Sequence, residues 1–87
     1  MSDAEPADHI AAHKHSFQNR DELMVSAQCG CFYCGAIFAP SAVVEWVNDK
    51  GGQTALCPKC GIDSVLGDAC GYPLTEDLLS RMHQYWF

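Results

Sequence analysis

With 87 residues, 48% of them hydrophobic, and 11 acidic against 5 basic side chains, the chain has room for one domain and carries a formal charge of −6. A domain this small has little apolar burial to set against conformational entropy, so a staple is expected, and six cysteines offer one. The acidic balance disfavours nucleic acid, whose affinity comes largely from cations meeting phosphates, and no apolar run approaches the roughly 18 residues of a membrane span.

The predicted elements run as follows. Residues 1–8 are acidic and polar with Pro6 among them, have nothing to bury, and are expected to be a disordered tail before a single domain over 9–87. They show neither the basic n-region nor the apolar h-region of a signal peptide, which points to a cytoplasmic chain whose thiols stay reduced. Residues 9–18 hold His9, His13 and His15. Asn19 reads as a helix N-cap with Glu22 as its capping-box partner, so a helix over 20–27 is expected to bury Leu23, Met24 and Ala27. "VVEWV" at 43–47, the turn "NDKGG" and "QTAL" at 53–56 spell a β-hairpin that delivers the chain into Cys57. Ile62, Val65 and Leu66 have one-face helical spacing stopped by Gly67, with a third strand as the competing reading. Thr75 caps a helix over 75–87, with Leu74 and Leu79 as a hydrophobic staple and Leu78, Leu79, Met82, Tyr85 and Trp86 as its apolar face.

Cys31-x-x-Cys34 and Cys57-x-x-Cys60 carry the strongest chemical signal. Two thiolates two residues apart can share one tetrahedral ion if the backbone curls into a tight turn. Gly35 and Gly61, which follow each pair, accept the positive φ such a turn needs. The expected cofactor is one structural Zn2+ held by Cys31, Cys34, Cys57 and Cys60, with no open position for water or substrate. A thioredoxin-type redox site is not indicated, because no βαβ pattern surrounds either pair. Cys29 reads as a small, partly buried neighbour of the site and Cys70 as a free thiol. Lys59 would offset the charge of the metal–thiolate cluster.

Residues 31–66 resemble treble-clef zinc fingers of the GATA-like group in "CFYCGAIF", "EWV", "ALCPKCG" and "IDSVLG". The resemblance implies a first knuckle, a hairpin, a second knuckle and a helix. It does not imply DNA binding, since the basic residues that meet phosphate are missing. A zinc ribbon, with "GIDSVL" as a strand, is the alternative. A wider resemblance, in "HKHS", "CGCFYC", "TALCPKCGIDSVLG", "GYPLT" and "WF", is to a family of small bacterial proteins known only as cytoplasmic or hypothetical proteins. It implies a bacterial cytosolic setting and a metal-binding fold, and no activity.

The fold class expected is thus a small α+β zinc-binding domain. The function expected is a zinc-stabilised binding module that engages a protein partner or a second copy of the chain. The alternative is a small enzyme using His13, His15, Asn19, Arg20 and Asp63, which requires those side chains to converge in one cleft. Asp63 otherwise reads as a cap or an acceptor for knuckle amides, Trp46 as core, and the closing Tyr85, Trp86 and Phe87 as packed on the hairpin.

Overall fold

The computed structural model describes residues 8–49 and 51–87. The expected tail therefore lies outside the described residues except for Asp8, which opens α1 (Asp8–Ala11); a 3-10 turn, Ala12–Ser16, continues it. Next come α2 (Arg20–Met24), β1 (Cys29–Cys31), β2 (Ile37–Phe38), β3 (Trp46–Asp49), β4 (Gly52–Ala55), β5 (Val65–Gly67) and α3 (Glu76–Trp86).

β1 is the centre of a three-stranded antiparallel sheet of order β2-β1-β5, while β3 and β4 form a separate hairpin. The register across β1 and β5 sets Cys29 against Gly67, Gly30 against Leu66 and Cys31 against Val65. Successive strand residues face opposite sides, and the two sides carry two cores. Cys29, Cys31 and Val65 join Leu23, Phe38, Val43, Ala55 and Cys57 under the hairpin and α2. Leu66 joins Phe32, Leu78, Leu79 and Met82 under α3. Gly30 is what lets α3 approach: a Cβ there would lie 3.1 Å from Leu79 Cδ1 and 3.3 Å from Leu74 Cδ1.

Gly67 plays the same part on the other side, where a Cβ would stand 2.6 Å from Leu23 Cδ2. Gly67→Ala is therefore expected to destabilise the domain by about 1–3 kcal/mol, the usual range for overpacking. A lowered urea midpoint with an unchanged m-value is the measurement that checks it.

The C-terminal helix forms as expected, and so does a hairpin, but its strands are shifted towards the turn: β3 starts at Trp46 rather than Val43, and Asn48, Asp49 and Gly52, read as turn, are paired. Trp46 pairs with Ala55 and Asn48 with Gln53 across the hairpin, whose turn residue Lys50 lies outside the described residues. Thr75 caps α3 by accepting a hydrogen bond from Leu78 N at 3.1 Å. Leu78, Leu79 and Met82 are buried, Tyr85 and Phe87 are largely exposed, and Trp86 is 38% exposed.

Three expectations are corrected. The helix proposed for residues 62–66 is instead strand β5, the feature the ribbon alternative called for. Val65 and Leu66 are both fully buried but in different cores, which a strand permits and a helix with one buried face does not. The helix over 20–27 stops at Met24, leaving Met24, Val25 and Ala27 exposed. Asp68 accepts from Ala27 N at 2.9 Å and Gln28 N at 3.2 Å, and Ser26 Oγ accepts from Ala69 N at 3.0 Å, so the segment is drawn off the helical path towards the end of β5. The aromatic C-terminus packs not on the hairpin but on the first knuckle and the histidine turn: Phe87 lies 4.8 Å from Tyr33 and 5.8 Å from Phe32, ring to ring.

Candidate metal centre

β1 leads into the first cysteine turn and β4 into the second, and the two turns are built alike. In the first, Cys31 N donates to Ala36 O (2.9 Å) and Gly35 N to Cys31 O (2.8 Å); in the second, Cys57 N donates to Ile62 O (2.9 Å) and Gly61 N to Cys57 O (2.9 Å). Tyr33 N points at Cys31 Sγ and Lys59 N at Cys57 Sγ, each at 3.3 Å. Gly35 and Gly61 close the turns at φ of 80° and 77°, the left-handed conformation for which glycine was expected.

The two turns face each other. The sulfurs of Cys31, Cys34, Cys57 and Cys60 all lie within 4.8 Å of one another and could hold a metal ion. Cys31–Cys60 and Cys34–Cys57 are both 3.6 Å apart. A tetrahedron of sulfurs about 2.3 Å from a central zinc has edges of about 3.8 Å, so the spacing suits such an ion. Among the described residues no other group of three or more His, Cys, Asp or Glu side chains is arranged to hold a metal.

The sulfurs are not equivalent. Burial works to raise the Cys31 pKa, but donation from Cys34 N, Ser64 Oγ and Tyr33 N outweighs it and holds this thiol below its ordinary value. The others resist ionising beside it. Cys60 is pushed up to about 12 by burial and by the facing Cys31 and Cys57 sulfurs. Cys34 is raised by desolvation of its sulfur and by the same kind of neighbour, although the residue itself is exposed. Four like charges cannot gather here unaided, and a divalent cation at their centre removes the penalty. Ser64 is the contributor the sequence reading missed. Its hydroxyl lies 2.9 Å from Cys31 Sγ in a fully enclosed position, and nothing in "GIDS" distinguishes it from a loop serine.

Cys29 faces the core, as a small neighbour of the site should. Burial, then the Asp68 carboxylate, pushes its thiol up to about 11. The native state thus prefers the protonated thiol. Its stabilising contribution is complete below the ordinary thiol value of 9.0 and disappears as pH rises through about 11. Urea midpoints taken across that window should fall more steeply for the wild type than for Cys29→Ala. Cys70 is likewise buried, with its thiol raised by burial and pointing at Tyr72 O at 3.8 Å.

The five residues of the enzyme alternative do not converge. The 3-10 turn advances about 120° per residue, which separates His13 from His15. His13 stacks on Trp86 with ring centroids 3.9 Å apart, while His15 Nδ1 sits 3.1 Å from the Glu22 carboxylate with its ring at Tyr72. His9 does share the His13 side, facing Tyr85 at 5.3 Å. Asn19 is buried and stands at the N-cap position of α2, where its backbone O accepts from Leu23 N at 2.9 Å, but its side chain caps no helix amide. Its Nδ2 donates to Val65 O (2.8 Å) and His15 O (3.0 Å), and its Oδ1 accepts from Ala55 N (3.1 Å). Arg20 lies over Trp46, 5.1 Å from the ring centroid, and donates to Gln53 Oε1. Asp63 is exposed and accepts no knuckle amide; it shares a cavity with His13 alone of this set.

Among the described residues, no helix is long and apolar enough to cross a membrane. No family model, curated protein or solved structure matches the chain, so the resemblances drawn above stand on their motifs alone.

Proposed function

We propose that this chain is a zinc-stabilised binding module. One structural Zn2+ is held by Cys31, Cys34, Cys57 and Cys60, and the fold around it is a zinc ribbon rather than a treble clef. The carrying observation is the set of four sulfurs within 4.8 Å on two equivalent turns. Four thiolates fill a tetrahedral ion and leave no position for water, which suits a structural ion and not a catalytic one. Strand β5, paired with β1 directly after the second turn, favours the ribbon. Metal analysis of purified protein should give one zinc per chain; protein that is folded and metal-free overturns the reading.

The proposed ligand of the module is another protein. Tyr33, Ile37, Tyr85 and Phe87 keep large apolar surface in water, and the charge of −6 points to a partner with basic residues around an apolar contact. Affinity capture with metal-loaded protein should retain a partner that chelation releases. Recovery of none under either condition counts against this half of the proposal and leaves the zinc half standing.

A further inference from the structure

Between the 3-10 turn, the first cysteine turn and the end of α3 lies a cavity of about 510 Å3, within the range of small-molecule sites. Its apolar wall is built from Trp86, Phe32 and Phe87. The indole of Trp86 is stacked by His13 and donates from Nε1 to His9 O at 2.9 Å. Phe32 is buried and its backbone is tied by a 3.0 Å hydrogen bond from its N to Ser64 O, next to the Ser64 hydroxyl that touches Cys31 Sγ. Phe87 leans on Phe32. Beside Ser16 and Phe17, two exposed groups of opposite sign, Lys14 and Asp63, also line it. Neither has an ion-pair or hydrogen-bond partner among the described residues.

We propose that this cavity binds a small zwitterion with an aromatic or branched aliphatic body, of the size and charge of an α-amino acid. The three rings would hold the apolar body. Lys14 would take the carboxylate and Asp63 the ammonium, as charge-assisted hydrogen bonds. A phosphate-bearing ligand is disfavoured by the chain's charge of −6, and a simple cation by Lys14. A ligand of no net charge that carries both signs meets neither objection. The inference does not depend on a protein partner. It shares with the zinc reading only the wall that Phe32 and Ser64 build on the first cysteine turn.

The test is calorimetric titration of the metal-loaded protein with L-phenylalanine and L-leucine, beside phenylalanine amide, which lacks the carboxylate, and N-acetylphenylalanine, which lacks the ammonium. A free amino acid should bind, with each blocked derivative weaker by about tenfold or more. Lys14→Gln should abolish the discrimination against the amide, and Asp63→Asn that against the acetyl derivative. Both side chains are exposed, so the variants should keep their metal and their melting temperature, measured alongside. The proposal is overturned if neither amino acid binds folded, metal-loaded protein at about 10 mM. It is equally overturned if the blocked derivatives bind as well as the parent, if discrimination survives both substitutions, or if choline or a nucleoside monophosphate binds more tightly than either amino acid.

Discussion

Chelation of the metal, or Cys34→Ser together with Cys60→Ser, is expected to abolish the folded state. Structural zinc in small modules contributes about 10–16 kcal/mol of apparent binding free energy near neutral pH. The net stability of a whole domain is about 5–15 kcal/mol. The ion also ties together two separate sheets that share one core: the first turn belongs to the three-stranded sheet and the second follows the hairpin. Near-UV circular dichroism and amide NMR dispersion should collapse on chelation and return with one equivalent of zinc. Cys70→Ala, away from the cluster, should retain the metal. Lower pH should release the ion, because the thiolates that bind it take up protons instead. A metal-free chain that kept a dispersed spectrum would falsify the account.

Asn19→Ala should be strongly destabilising for a polar substitution, lowering stability by about 3 kcal/mol and the melting temperature by roughly 15 °C. Its amide joins three pieces distant in sequence: the histidine turn through His15 O, strand β5 through Val65 O and strand β4 through Ala55 N. Val65 and Ala55 are fully buried. Truncation therefore leaves a carbonyl and an amide in the core without partners, which costs more than a hydrogen bond contributes when it forms. Asp in place of Asn tests the geometry further. It keeps the acceptor for Ala55 N, loses the donor to both carbonyls and puts a charge in the core, so its melting temperature should fall at least as far as that of the alanine variant. A melting temperature unchanged in Asn19→Ala would mean that the brace contributes nothing.

Local and long-range features of the chain were unequally legible. The sequence by itself determined the pieces whose causes are local. The Cys-x-x-Cys-Gly turns follow from ligand spacing and from a φ only glycine takes freely, and the hairpin follows from β-branched runs around a glycine turn. The α3 helix follows from a threonine cap and an amphipathic face. Tertiary structure decided what the same local signals left degenerate. The spacing of Ile62, Val65 and Leu66 suits a helix, yet the open edge of β1 and a core on each side of it make Val65–Gly67 a strand. Asn19 has the identity and position of a helix cap, yet buried backbone groups from two distant strands claim its side chain. His13 and His15 are one motif in sequence and two environments in space, because a 3-10 turn points them apart. Capping, turn geometry and ligand spacing act over a few residues and can be read from those residues. Strand pairing and the satisfaction of buried polar groups are settled between segments that only the folded chain brings into contact.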